Sequence, residues 1–211
     1  ELIIDTVKAN PGEVYILCTG PMSNVAMAMK KAPEIKSMIA GIYAISGAFG
    51  LNRYAYANAT GDTPQSEWNV YVDPEAADIV YNSGVKLVAL GLDVATHFDV
   101  NLTDGDIHML EQSDKPEAKF FLQAIRFVNQ RGFEAYCAVI DCMAVGYAID
   151  PELVTTITGR VGIETKDGLT LGMTVLDSRH HFVWETLPEV EIGESADYEG
   201  FLKLLMKLVL A

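Results

Sequence analysis

Short apolar runs alternate with amphipathic stretches through the first half of the chain. The runs EVYILC, GIYAIS and VKLVALGLD (13–18, 41–46 and 85–93) have the length and composition of buried strands. Helical spacing follows the first run from about Ser23, and a second helix, DPEAADIVYNSG (73–84), precedes the third run. Strands that alternate with helices require crossover connections, so this half predicts an α/β fold with a mainly parallel sheet.

The second half changes in character. Helical periodicity covers Lys115–Gln130 and Phe133–Ala148. Three later segments alternate like antiparallel strands, and an amphipathic helix closes the chain: ELVTTITGRVGIET (152–165), LGMTVLD (171–177), HHFVWETL (180–187) and YEGFLKLLMKLVLA (198–211). We therefore predict one α/β domain over residues 1–211, with flanking helices and a small antiparallel set of strands near its C-terminus.

Composition narrows the class of protein. The 211 residues are 50% hydrophobic, which suffices for one substantial core, and the net charge of -14 disfavours nucleic acids and anionic membranes as partners. No apolar run is long enough to span a membrane. The three cysteines lack disulfide or zinc spacing, which predicts reduced thiols in a cytoplasmic protein.

The stretch SEWNVYVDPEAAD (66–78) carries the first candidate site. In an extended segment Glu67 and Asn69 would face one side and Trp68 the other. A carboxylate that accepts hydrogen bonds, beside an amide that donates and accepts, could hold vicinal hydroxyls. The alternative is a solvated Glu67 and an Asn69 that satisfies a turn. Asp73-Pro74-Glu75 is typical of a helix start and is assigned to structure.

Three polar segments fall where the predicted parallel strands end: TGPMSN, SGAFG and GLDVATH. Ligands bind at the carboxyl ends of the strands in such sheets. Ser46 and Asn24 belong to these segments and are interpreted first as turn residues.

These segments, taken in order, resemble the inosine-uridine nucleoside hydrolase family. TGPMSN matches the family's GPLTN turn, SGA its MGG, and GDTPQSEWNVYVDPEAA its GN…EFN…DPEAA. GLDVATH matches LD-T-H, and VIDCMAVGYAIDPEL matches HDPLAVAYALDPEL. The resemblance implies a Rossmann-like α/β fold that hydrolyses the N-glycosidic bond of ribonucleosides, giving ribose and free base, with a bound calcium ion.

The resemblance also implies roles for individual residues. Glu67 and Asn69 fall on the family's ribose-binding Glu and Asn, and Asp62 falls where the family usually has a ribose-contacting Asn. Asp141 falls on a calcium ligand, and Thr19 on the residue whose backbone carbonyl binds the metal, with Cys18 as the neighbouring alternative. Asp141 also lies in the apolar run AVIDCMAVGYAI, where burying an unpaired carboxylate is costly, which favours a metal or a basic partner.

The chain departs from the family pattern in two places. It has no cluster like the family's opening DxDxxxDD, which supplies further calcium carboxylates and the Asp thought to deprotonate the attacking water. We therefore expect that an N-terminal part is missing and that the chain is inactive alone, and a companion fragment that carries this part is one expected partner. Ile140 stands where purine-handling members carry a leaving-group His. His97 is the best substitute acid, although a plain loop histidine is at least as consistent with the sequence.

Several alternatives stay open at this point. The loop with Arg53, Tyr54 and Tyr56 would either stack on the base or form a solvent-exposed insertion. The chain would be part of a hydrolase, a nucleoside- or ribose-binding protein of the same fold without catalysis, or a fragment that only assembles. The resemblance implies a small-molecule nucleoside as ligand and a homo-oligomer, either a dimer or a tetramer.

Overall fold

A single sheet organises the chain. The structure is a computed structural model that describes residues 1–96 and 101–211, and these form one six-stranded sheet in the order β1-β2-β3-β6-β4-β5. The strands are β1 Val14–Cys18, β2 Ile39–Ile45, β3 Leu87–Leu90, β4 Val154–Ile163, β5 Thr174–Asp177 and β6 Glu189–Ala196. Strands β1, β2, β3 and β6 pair in parallel, whereas β4 is antiparallel to both β6 and β5. The predicted α/β fold is confirmed, and the antiparallel strands extend the same sheet.

Ten α-helices flank this sheet in the described residues. They are α1 Leu2–Ala9, α2 Ser23–Lys31, α3 Tyr54–Ala57, α4 Trp68–Val72, α5 Pro74–Tyr81, α6 Leu92–Ala95, α7 Asp104–Gln112, α8 Pro116–Gln130, α9 Cys142–Ile149 and α10 Tyr198–Leu210. Short 3-10 turns cover Pro33–Ser37, Ala135–Ala138 and Pro151–Leu153. No helix among the described residues has the length and apolar content of a membrane span.

The two faces of the sheet bury separate cores. Strands β2 and β3 are almost wholly buried, as expected of parallel strands covered on both faces. One core packs α1, α2 and α5 against the sheet, and the other packs α8, α9 and α10 against the opposite face. The carboxyl ends of β1, β2 and β3 therefore open between two helical layers.

Capping by Asp73 and the proline that follows it determine where α5 begins. The Asp73 carboxylate accepts a hydrogen bond from the Ala76 N–H at 3.0 Å, and Pro74 occupies the first helical position. Gly84, with a φ of 76°, lies just past the end of the helix in a conformation that favours glycine. The assignment of Asp73-Pro74-Glu75 to structure is confirmed.

Two predicted elements are wrong. Phe133–Ala148 is not one helix, because the chain makes a 3-10 turn at Ala135–Ala138 and α9 begins only after Asp141. Both pieces pack on the same core, so their apolar spacing resembled one continuous helix. HHFVWETL is not a strand, because the buried Asp177 accepts from the N–H groups of Arg179 and Trp184 and closes a turn. The strand follows at β6.

One helix has a start signal that the prediction did not use. The Thr103 hydroxyl accepts from the Asp106 N–H at 3.2 Å, and the Asp106 carboxylate accepts from the Thr103 N–H at 2.8 Å. This reciprocal pair is a capping box, and it begins α7.

A conservative core substitution tests the position of β2. Ile42 has no exposed surface, so Ile42→Val should lower the free energy of unfolding by about 1 kcal/mol through the loss of one methylene. Denaturant unfolding measures the difference. Met27→Ala on α2, where the side chain is 54% exposed, is the control and should change stability by less than about 0.5 kcal/mol. Equal effects at the two positions would contradict the assigned core.

Candidate functional site

Glu67 joins α4 to the end of β2. It is the N-cap residue of α4, and its carboxylate accepts from the N–H groups of Asn69 at 2.7 Å and Val70 at 3.1 Å. The same carboxylate accepts from the Gly47 N–H at 3.3 Å, just beyond β2. Glu67 is only 3% exposed, so these three donors offset much of the cost of removing it from water. The interpretation of Glu67 as a solvated residue is wrong.

Asn69 also contacts the end of β2, through its own side chain. Its side-chain amide donates to the Ile45 carbonyl at 2.9 Å. The predicted extended segment is wrong, since Trp68–Val72 is helical and Asn69 lies in its first turn. Capping by Glu67, rather than strand alternation, brings the two side chains to one place. Trp68 is 50% exposed, consistent with the prediction that it faces away.

The pair keeps hydrogen-bonding capacity after these contacts. A carboxylate offers about four acceptor positions, of which Glu67 uses three within the described part of the chain. Asn69 uses one of its two amide hydrogens there, which leaves a donor and the carbonyl oxygen. Together the two side chains can accept from one hydroxyl and donate to the next, as a sugar diol requires.

Burial sets the charge state of Glu67. The pKa of its carboxyl is raised to about 7: loss of hydration is the largest cause, the three N–H donors act in the opposite direction, and the charge of Asp141 adds a smaller upward contribution. Near neutral pH both protonation states are therefore populated. The charge of Asp141 thus acts on Glu67 in the same direction as burial.

Asp141 does not occupy the environment expected from the sequence. It precedes α9 instead of lying within an apolar helix, and its side chain is exposed. The argument from a costly buried carboxylate is therefore wrong, although partial desolvation still raises the pKa of Asp141. Helix α9 packs across β2 through an edge-to-face contact between Tyr147 and Tyr43, with ring centroids 5.0 Å apart. This contact places α9 against the sheet face that carries the second core.

Thr19 immediately follows β1 at the same edge of the sheet. Cys18 pairs with Ala44 across the two strands, so Thr19 lies alongside Ile45. Burial raises the pKa of the Cys18 thiol to about 11, which keeps that thiol protonated near neutral pH.

The described residues fit a calcium ion only in part. A carboxylate from Asp141 and a carbonyl from Thr19 are the oxygen donors that calcium prefers. Calcium takes six to eight such donors, and residues 1–96 and 101–211 contain no group of three or more His, Cys, Asp or Glu that could hold a metal. Donor type agrees with calcium, whereas donor number does not reach its requirement.

Asp62 lies apart from the Glu67 and Asn69 pair. It is exposed and accepts from the Tyr71 hydroxyl at 3.2 Å. Residues two apart on a helix point in nearly opposite directions, so Tyr71 and Asn69 face opposite sides of α4. The contact with Tyr71 does not support a ribose-binding role for Asp62, and that role stays a prediction.

The tyrosine-containing loop is anchored to the protein. Tyr54 is 8% exposed, and the Arg53 guanidinium lies 4.8 Å from the centre of its ring and donates to its hydroxyl at 2.7 Å. Tyr56 is 37% exposed. A wholly solvent-exposed insertion is therefore wrong, and stacking on a base stays a prediction for Tyr56.

The structure describes only one of the two residues considered for protonation of the leaving base. Ile140 is partly buried against the second core, and its side chain offers only apolar surface. His97, the predicted substitute acid, lies outside the described residues.

Sequence analysis did not identify the two side chains that hold the backbone next to Gly47. Asp93 and Thr174 are buried and bind the backbone that follows β2. The signal for Asp93 was a carboxylate within the apolar run GLDVA, where burial requires partners. Thr174, in LGMTVLD, carried no comparable signal.

Comparison with known proteins agrees with this fold and residue order. Residues 1–203 match the model of the inosine-uridine preferring nucleoside hydrolase family. The chain is 33% identical to the pyrimidine-specific ribonucleoside hydrolase RihA of Citrobacter koseri, over 97% of this chain and 64% of that protein. The chain thus spans about 64% of the length of this relative.

Solved structures give the same result. A plant nucleoside hydrolase superposes with a TM-score of 0.85 at 28% identity, covering 100% of this chain and 66% of that one. A purine-preferring ribonucleoside hydrolase from Gardnerella vaginalis superposes with a TM-score of 0.80 at 30% identity, covering 99% and 64%. The chain belongs to the inosine-uridine preferring nucleoside hydrolase family.

Proposed function

We propose that this chain supplies the ribose-holding part of a site that hydrolyses the N-glycosidic bond of ribonucleosides. The observation that carries the proposal is the joint attachment of Glu67 and Asn69 to the end of β2, with hydrogen-bonding capacity left for hydroxyls. The names of the relatives support the reaction class, since they are ribonucleoside hydrolases.

The chemistry of the bond explains why such a pair is useful. Cleavage passes through an oxocarbenium-like sugar, so fixing the ribose hydroxyls orients the reacting carbon and stabilises the distorted ring. Glu67 would accept from one hydroxyl and Asn69 would bridge to its neighbour. Both side chains are held by backbone groups before the sugar arrives, which lowers the entropy lost on binding.

Calcium is the proposed cofactor. When bound, it would supply Lewis-acid stabilisation and a more acidic water. Asp141 and the Thr19 carbonyl are the residues of this chain that would hold it, together with donors beyond this pair.

The departing base needs a proton from a group other than Ile140, because an alkyl side chain cannot donate one. The relatives include proteins named for pyrimidine specificity and for purine preference. We therefore propose ribonucleosides as the substrate class without assigning a base.

Ribose release tests this function. Uridine and inosine are incubated with the protein in calcium or in a calcium chelator, and the ribose and free base are quantified. Equimolar ribose and base that require calcium would support the hydrolase. Saturable nucleoside binding without ribose release would support the ribose-holding role alone, as expected of a chain that is inactive by itself or of a binding protein of the same fold, and absence of both would contradict the proposal. Intact-mass and light-scattering measurements on the same sample test the predicted companion fragment and the dimer or tetramer.

Asp141→Asn tests the proposed calcium ligand. The substitution keeps a carbonyl oxygen but removes the charge, so calcium affinity should fall about tenfold. Calorimetric calcium titration measures the change. Asp150→Asn is the matched control, because Asp150 is an exposed aspartate at the other end of α9. An unaltered titration for Asp141→Asn, or equal losses in both variants, would count against the role.

A further inference from the structure

The backbone that follows β2 is held by two buried side chains from distant parts of the sequence. The Asp93 carboxylate accepts from the Phe49 N–H at 2.8 Å and from the Leu51 N–H at 2.7 Å. The Thr174 hydroxyl accepts from the Ala48 N–H and donates to the Ala48 carbonyl, both at 2.9 Å. Asp93 is 0% exposed and Thr174 is 2% exposed, so water does not compete for these bonds.

The same backbone segment presents the N–H that holds Glu67. Gly47 has a φ of 90°, which favours glycine, and a Cβ there would lie 2.6 Å from the Phe49 ring. Its carbonyl accepts from the Leu92 N–H at 2.9 Å, one residue before Asp93. The direction of the Gly47 N–H is thus fixed on both sides, by β2 before it and by the Asp93 and Thr174 contacts after it.

We propose that Thr174 and Asp93 are positioning residues, which hold residues 47–51 so that the Gly47 N–H keeps the Glu67 carboxylate aimed at the ribose hydroxyls. This inference rests on the proposed function, and it adds two residues from separate segments to the ribose site. Neither side chain needs to touch the sugar. Both residues act on Glu67 through the Gly47 N–H. A small displacement of that N–H would misalign the Glu67 carboxylate.

Thr174 allows the sharper test. Thr174→Val keeps the shape but removes the hydroxyl, and both Ala48 partners are then left unsatisfied. Thr174→Ser keeps the hydroxyl and should restore the contact. Thr103→Val is the control for general destabilisation, since it removes another threonine hydroxyl with a defined bond, in the capping box of α7.

Two readouts are measured for each variant: uridine affinity by calorimetry and hydrogen exchange of the Gly47 amide by NMR. Thr174→Val should weaken uridine binding about tenfold and speed Gly47 exchange by a similar factor, whereas Thr174→Ser and Thr103→Val should each stay within about twofold of the unaltered chain.

The two readouts separate two kinds of failure. Unchanged Gly47 exchange in Thr174→Val, or equal losses of affinity in Thr174→Val and Thr103→Val, would overturn the positioning role. Absence of uridine binding by the unaltered chain would overturn the proposed function itself, while accelerated Gly47 exchange in Thr174→Val would still support the mechanical link.

Discussion

Glu67→Gln should weaken uridine binding about 10- to 100-fold, because hydrogen bonds to an ionised group contribute roughly 1.5–3 kcal/mol. The glutamine carbonyl can still accept from part of the α4 start, but the NH2 that replaces the second oxygen cannot accept from Gly47 or from a sugar hydroxyl. Calorimetric titration at about pH 8, where the carboxyl is mostly ionised, measures the loss.

The control for this experiment is Glu75→Gln. Glu75 is an exposed glutamate in the first turn of the next helix, so the change is chemically identical and should leave uridine affinity within about twofold. Because Glu67 also caps α4, each variant is first shown to be folded by its unfolding transition. Unchanged affinity in a folded Glu67→Gln would remove Glu67 from the proposed site.

Sequence analysis selected two residues that the structure brings together, Glu67 and Asn69, but it did not predict their geometry. The pairing of Glu67 with Asn69 came from local spacing and from a family resemblance, but the extended conformation assumed for them was wrong. A pattern of two residues cannot show that Glu67 also binds Gly47, twenty residues earlier, because that contact depends on how β2 and α4 pack. Asp141 shows the same limit, since its apolar neighbours did not reveal that it precedes the helix.

The fold was predictable where periodicity and end signals agreed. β2 and β3 are continuous apolar runs, and the helix after Asp73 has a cap, a proline and a terminal glycine. The prediction failed at 180–187, where alternation of apolar and polar residues coincides with a turn closed by Asp177. Such a turn depends on a charged side chain that bonds to the backbone seven residues later. The alternation of apolar and polar residues contains no information about that bond.

Stability should fall as pH rises through neutrality in calcium-free buffer. The Glu67 carboxyl has its pKa raised from 4.5 to about 7 in the folded state. A raised carboxyl pKa means that the folded state holds its proton more tightly than the unfolded chain does. The stabilisation is therefore fully present below about pH 4.5 and is lost as pH rises through about 7. This rise in the pKa corresponds to a decrease of about 3 kcal/mol in the free energy of unfolding between about pH 4.5 and about pH 7.

Denaturant unfolding at intervals from about pH 5 to pH 8 measures this dependence. Glu67→Gln should remove most of it, because glutamine does not titrate, whereas Glu75→Gln should preserve it. Asp177, whose pKa is lowered by Arg179, acts in the opposite sense and only in acid, as pH falls below about 4, so it does not confound this window. If the free energy of unfolding of the unaltered chain does not change over this pH range, the three N–H donors offset the effect of burial on the pKa of Glu67.

Both predictions concern a residue that has a structural role and a proposed role in ligand binding. Glu67 begins α4, fixes that helix to the backbone after β2, and retains an acceptor for a hydroxyl. The two roles explain why a carboxylate occupies a position that is 3% exposed. They also predict that variants at 67 change stability and affinity together, whereas the Asn69 amide, bonded to one carbonyl, affects chiefly affinity.

The most direct measurement is a crystal structure of the protein with ribose bound. One sugar hydroxyl should donate to the Glu67 carboxylate and its neighbour should contact the Asn69 amide, each at roughly 2.7–3.2 Å, at the carboxyl end of β2. Ribose bound elsewhere on the protein, or bound at this edge without either side chain, would show that Glu67 and Asn69 do not hold the sugar.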